Sequence, residues 1–231
     1  VLKKKILISN LFSVFLIFSF PSIAEEANQN LPSIQKVGEA KFQFGEILLD
    51  QHKRIVEFNA TSNQKNGLIE YALVHENGKT HESLFRTKVR PQILHASLLL
   101  LKQPVESRFF ENLWSEEPRK LDFGKSKIRT EVQWDQNGTL HTSSLEELSL
   151  NTKDKSSLRE GAFIFTGSKK IEGTYLAELS GSMIAVYADE EAVINSSDHD
   201  SNNDDVWIAN EKQMPELETP VRIRFLLPKA N

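Results

Sequence analysis

His81 and Glu82 stand side by side in the run Gly78-Lys79-Thr80-His81-Glu82-Ser83-Leu84, with Glu70 and His75 a short way upstream. An imidazole among carboxylates is the raw material of general acid–base catalysis and of metal ligation. Neighbours on a strand point to opposite faces, so His81 and Glu82 can share a ligand only across a bulge. Glu70 and Glu82 could meet across a hairpin, and paired carboxylates do acid–base work when held at a set separation. His75 and His81, joined by Glu76 or Glu82, could reach a zinc ion. The segment HESLF is only half of an HExxH motif, however, and the spacing matches no strong metal signature. The plain alternative is structural: all three groups can hydrogen-bond backbone or an arginine such as Arg86.

Other segments carry weaker chemistry. Residues 195–205 read NSSDHDSNNDD, rich in oxygen donors but without the ordering Gly and closing Glu of a calcium loop. They are expected to form a solvated surface loop. The run GAFIFTGS lacks the lysine of a phosphate-binding loop in register. No GxSxG elbow is present. Phe109, Phe110, Trp114 and Trp134 could line a groove for carbohydrate or peptide, although aromatic residues serve cores more often. The chain has no Cys, which excludes thiol catalysis and cysteine-held zinc or iron–sulfur centres. No cofactor is expected.

These residues must be positioned by short strands. Alternating apolar and polar residues predict strands over 42–49, 54–60, 68–74, 80–87, 128–135, 139–142, 162–166, 173–178, 182–189 and 221–227. Asn77-Gly78, Asn137-Gly138 and Ser180-Gly181 predict three hairpins. Pro91 fits the first turn of a helix, and Ile93, Leu94, Ala96, Leu98, Leu100 and Leu101 recur at helical spacing, ended by Pro104. That helix is expected to be buried on most of its surface. A shorter helix is expected over 106–114. The fold class is α+β: a mostly antiparallel sheet of short strands and hairpins with one buried helix.

Residues 1–24 read as a secretory signal: Lys3, Lys4 and Lys5, an apolar stretch to Phe20, then Ser22-Ile23-Ala24 before a cut. A flexible lead-in is expected over 25–39 and one domain over 40–229. Removing the leader moves the formal charge from −4 to −7, since three lysines and no acid depart. An acidic surface is a poor match for nucleic acid, which needs its phosphates neutralised. No segment after the leader is long and apolar enough to span a bilayer. The product is expected in the periplasm or secreted.

The blocks Gly67-Leu68-Ile69-Glu70-Tyr71, GKTHESL, Val89-Arg90-Pro91 with its leucine-rich helix, and Gly181-Ser182-Met183-Ile184-Ala185-Val186-Tyr187 resemble the YdjY-domain family of exported bacterial proteins. So do Asp205-Val206-Trp207 and Thr219-Pro220-Val221. The likeness covers roughly residues 40–228. It implies a single exported domain with no assigned activity. Some relatives look associated with iron–sulfur or redox proteins, but this chain has no Cys to hold a cluster. One departure is Lys102, where the family usually has a glycine after the helix.

Two functional expectations remain. One is a noncatalytic domain that binds an envelope protein or a small ligand, or serves a structural role, with His81, Glu82, Glu70, Asp205 and Trp207 as binding candidates. The other is a hydrolase or metal-assisted enzyme using Glu70, His81 and Glu82.

Overall fold

The computed structural model describes residues 31–116 and 122–229; the expected leader lies outside them. The chain begins as an antiparallel meander of β1 (Ile34–Lys36), β2 (Lys41–Phe44), β3 (Ile47–Asp50) and β4 (Ile55–Ser62). Part of the polar lead-in is therefore an edge strand. β5 (Tyr71–His75) and β6 (Ser83–Thr87) follow, then α1 (Pro91–Leu100) and α2 (Phe109–Leu113). β7 (Arg129–Gln136) and β8 (Thr139–Ser143) form a hairpin. Its two-residue turn, Asn137 (φ 56°) and Gly138 (φ 78°), has the positive φ pair that suits the strand twist.

β9 (Ser149–Asn151), β10 (Phe163–Phe165), β11 (Lys170–Ile171), β12 (Thr174–Tyr175), α3 (Leu176–Ser180), β13 (Ser182–Ala185), β14 (Ile194–Ser196), β15 (Trp207–Ala209) and β16 (Pro220–Leu226) complete the domain. Twelve strands join in one sheet, mostly antiparallel, with β4 as its branch point. β16 pairs with β4 from Thr61–Pro220 to Ile55–Leu226, while β3 and β6 also pair with β4. Alternation decides the faces. Val56, Phe58 and Ala60 are buried with Val221, Ile223 and Phe225, and Phe58 meets Phe225 edge to face at 5.4 Å. On the other face, Arg224 pairs with Glu57 and Glu131.

Two expected hairpins are corrected. β5 and β6 run parallel, Tyr71 beside Ser83 and Leu73 beside Phe85. Parallel neighbours usually need a crossover of a dozen or more residues. Here the short stretch from Glu76 doubles back through a 3-10 turn at Thr80–Glu82. β5 is buried from Tyr71 to Val74, which suits an interior strand better than a two-faced hairpin arm. Its other edge takes β13, Ser182 beside Val74. Neither Asn77 nor Gly78 adopts a positive φ. Gly78 is instead needed for space: a Cβ there would sit 2.9 Å from the Ser180 carbonyl oxygen. The third expected hairpin is absent as well. Residues before Gly181 form α3, and Gly181 (φ 76°) caps it.

The expected buried helix is half-buried. α1 encloses Pro91, Ile93, Leu94, Ser97 and Leu98 but leaves Leu99 and Leu100 exposed. The Glu178 carboxylate accepts from the Gln92 backbone N–H at 3.0 Å and from Arg90, which satisfies an orphan donor at the helix N-terminus. At the other end Lys102 takes φ 56°. Its N–H bonds the Leu99 carbonyl at 2.8 Å, and the Gln103 N–H bonds that of Leu98 at 2.9 Å. Lys102 thus fills the left-handed cap position that glycine fits at least cost.

Candidate functional site

Glu70 leads into β5, and its backbone is fully engaged. Its N–H donates to the Glu82 carbonyl at 3.0 Å, and its carbonyl accepts from Val186 and Tyr187 at 2.7 and 3.1 Å. This fixes the start of β5 between the 3-10 turn and the exit of β13. The turn is pressed against the α3–β13 corner: a Cβ on Gly181 would lie 2.7 Å from the Gly78 Cα, and the His75 N–H donates to the Gly181 carbonyl at 2.8 Å. Lys79 is thereby brought over the end of the Tyr71 ring.

A cleft of about 460 Å³ opens here, lined in part by Glu70, Tyr71, Lys79, Tyr187 and Asp189. The Tyr71 hydroxyl donates to Asp189 Oδ2 at 2.8 Å and accepts from Lys79 Nζ at 2.7 Å. Asp189 is itself held, Oδ1 accepting from the Glu191 N–H and its own N–H donating to Asn195 Oδ1, both at 2.8 Å. Burial, and then the negative charge of Asp189, push the Tyr71 phenol far above its ordinary acid range. Burial also raises the Glu70 carboxyl, with Glu82 adding to the effect and Lys79 opposing it.

Of the residues singled out in the sequence, Glu70 and Glu82 are brought together. His81 is not part of the cleft: its side chain is 79% exposed, with Nε2 3.6 Å from Glu82. His75 Nδ1 accepts the Asn77 N–H at 3.2 Å. Among the described residues no three His, Asp or Glu side chains converge to hold a metal. Trp207 lies in the core, fully buried on β15, with its indole N–H directed to the Asp200 carbonyl at 3.3 Å. Asp205 is exposed, its N–H donating to Asn203 Oδ1.

The expected solvated loop is also corrected, because Ser196, Asp198 and Ser201 are buried. Asp198 is a hub. Oδ1 accepts from Arg159 Nε at 2.6 Å and from the His199 N–H at 2.7 Å, with His199 Nδ1 at 2.9 Å; Oδ2 accepts from the Arg159 N–H. Burial pushes this carboxyl up, but those hydrogen bonds together outweigh it and hold the group below the usual carboxylate range. His199 Nε2 lies 3.1 Å from Asp154 Oδ2, and its ring meets Trp207 edge-on at 5.8 Å. Bonding to Asp198 raises the imidazole, desolvation opposes it, and Asp154 adds to the rise. The signal for this hub was in the flanks of two apolar strands. β10 and β14 pair antiparallel, Phe163 beside Ser196, so Arg159 before one meets Asp198 after the other. Glu146 is a second buried carboxylate the sequence did not reveal. It accepts from the Thr130 hydroxyl and the Gly161 N–H.

The described residues thus define an α+β domain with a branched, largely antiparallel sheet. Residues 47–226 match the family model of the YdjY domain, and the chain belongs to that family. No curated protein and no solved structure matches it. Among the described residues no helix is long and apolar enough to cross a membrane.

Proposed function

We propose that this domain works by binding rather than by catalysis, in the periplasm or as a secreted protein, on an envelope protein or a small ligand. The observation that carries this reading is that Tyr71 and Asp189, at the centre of the cleft, are already hydrogen-bonded to one another and to their neighbours. A nucleophile or general base needs a lone pair or proton free toward substrate. The Tyr71 proton goes to Asp189 and its oxygen accepts from Lys79. Its acid constant is shifted the wrong way for a nucleophile. The leader pattern of residues 1–24 supports the compartment.

One observation favours a hydrolase or metal-assisted enzyme using Glu70, His81 and Glu82: the Glu70 carboxyl is raised, as an acid catalyst requires. The test assays the full chain on chromogenic glycosides, esters, phosphate esters and peptides, with and without added zinc. Turnover no greater than that of Glu70→Gln is the expected result. Turnover lost in Glu70→Gln but kept in a variant of the exposed Lys212, Lys212→Gln, would sink the binding reading. Cell fractionation with N-terminal sequencing tests the compartment: a mature chain starting at Glu25 is expected, and uncut protein in the cytosol contradicts export.

A further inference from the structure

A second opening, of about 680 Å³, lies beside the Asp198 hub and includes Phe109, Leu113, Phe123, Lys127, Arg159 and Ser197 among its lining. This volume is in the range that holds a small organic molecule. One wall is apolar. Phe109 and Phe123 pack with ring centroids 5.9 Å apart, and Phe110 meets Phe109 edge to face at 5.0 Å. Another part of the lining carries charge, with three acids, Asp122, Glu160 and Asp198, and two bases, Lys127 and Arg159.

Each acid has a partner of its own, and Asp198 has both oxygens engaged. Glu160 faces Arg129 at 3.3 Å. Asp122 Oδ1 accepts the Gly124 N–H at 2.9 Å. Asp198 takes donors from Arg159 and His199 on both oxygens. The cations are not used up. Arg159 gives Nε to Asp198 and one Nη2 proton to the Ser197 carbonyl at 3.0 Å. Its Nη1 has no partner among the described residues. The side chain remains 68% exposed although a fully buried carboxylate fixes its fork. The Lys127 ammonium likewise has no described partner, while its stem packs 3.5 Å from where a Gly161 Cβ would be. An arginine held in orientation with a free edge, next to an unpaired lysine and an aromatic wall, is pre-organised for a planar anion with an apolar body.

We propose that this cavity is a binding site for a small aromatic carboxylic acid, whose carboxylate is held by Arg159 and Lys127 and whose ring packs on Phe109 and Phe123. The proposal rests on the binding reading above and gives it a ligand class and a place distinct from the Tyr71 cleft.

The test is calorimetric titration of the full chain with 3-phenylpropionate and with its neutral amide at low ionic strength. The acid binds one to one, and the amide binds about tenfold or more weakly, as expected when hydrogen bonds to a charged group are lost. Lys127→Gln weakens the acid by about tenfold and leaves the fold intact, because Lys127 holds no buried partner. Arg159→Gln weakens it further, but it also frees Asp198, so its folding is checked by circular dichroism. No binding of the acid, equal binding of acid and amide, or an unchanged affinity in Lys127→Gln each overturns the site. Mass spectrometry of the recovered acid separates the two readings. A chemically altered acid leaves the site standing and sinks the noncatalytic reading; an unaltered acid keeps both.

Discussion

The Tyr71 cleft and the Arg159 cavity are built from the same kinds of side chain and reach opposite states. In the cleft, the Tyr71 hydroxyl both donates to Asp189 and accepts from Lys79, and Asp189 is further tied to Glu191 and Asn195. In the cavity, one carboxylate is saturated while the cations keep free donors. Buried polar groups cost heavily unless bonded, so a finished network is explained by folding alone. A charged group that folding fixes but does not satisfy has capacity left over. Hydrogen-bond completeness, more than residue type, distinguishes the two regions.

The sharpest way to break the contrast is at the corner that builds the cleft. Gly181→Ala places a Cβ 2.7 Å from the Gly78 Cα and a side chain at φ 76°. The left-handed conformation and the overpacking together cost about 3 to 4 kcal/mol. Urea unfolding measures this. In the fraction that stays folded, 3-phenylpropionate binding is unchanged, because neither Gly78 nor Gly181 lines that cavity.

Asp198→Ala strikes the other region. It leaves the Arg159 and His199 backbone donors and the guanidinium without their shared acceptor. Loss of a buried acceptor from several donors costs about 3 kcal/mol. Unlike Gly181→Ala, it also weakens the carboxylic acid, since the Arg159 fork is no longer fixed. A stable Asp198→Ala that binds as before would mean that Asp198 does not position Arg159.

Much of the sheet was legible in the sequence and the sites were mostly not. The alternation of 221–227, the Asn137-Gly138 turn and the start of α1 at Pro91 are local signals, and each has its expected place. The pairing of β5 with β6 was misread because Asn77-Gly78 carries a hairpin signature while the contact that decides the path, Gly78 on Gly181, joins positions over a hundred residues apart. The same limit applies to function. Glu70 and Glu82 were found because they lie near one another in sequence. Tyr71–Asp189 and Arg159–Asp198 were missed because each pair is made by strand pairing across the sheet. Trp207 stood out by type, yet it is the core residue on which His199 rests.

A smaller change sharpens the claim that the cleft is structural. Tyr71→Phe removes a buried hydroxyl that donates to Asp189 and accepts from Lys79. The expected loss is about 1.5 kcal/mol, near that of one hydrogen bond to a charged group. Carboxylic acid binding stays the same. Detectable catalytic turnover in the wild type that disappears in Tyr71→Phe would reverse the assignment and make the cleft the working site.

The smallest effect concerns the rim of the cavity and depends on pH. His199 lies between Asp198 and Asp154, with Asp200 and its partner Lys153 nearby, Arg159 on the far side of Asp198, and the Trp207 ring against it. The fold raises the imidazole above its ordinary value of 6.5, so the native state binds the proton more tightly than the unfolded chain. The contribution is therefore complete below pH 6.5 and is lost as pH rises through the folded value. Asp198, held low, behaves in the opposite sense. Its contribution is present above 3.8 and is lost as pH falls through its folded value. Glu70 and Glu146, raised by burial, and His95, lowered by burial, also bend the profile. They are common to wild type and His199→Gln and cancel in the difference. The difference in unfolding free energy between the two proteins should shrink by about 0.5 kcal/mol from pH 5.5 to pH 8.5, a modest value because the pair is half-exposed and screened by solvent. A flat difference would mean that the His199 proton contributes nothing to holding this rim, and that Asp198 fixes Arg159 without it.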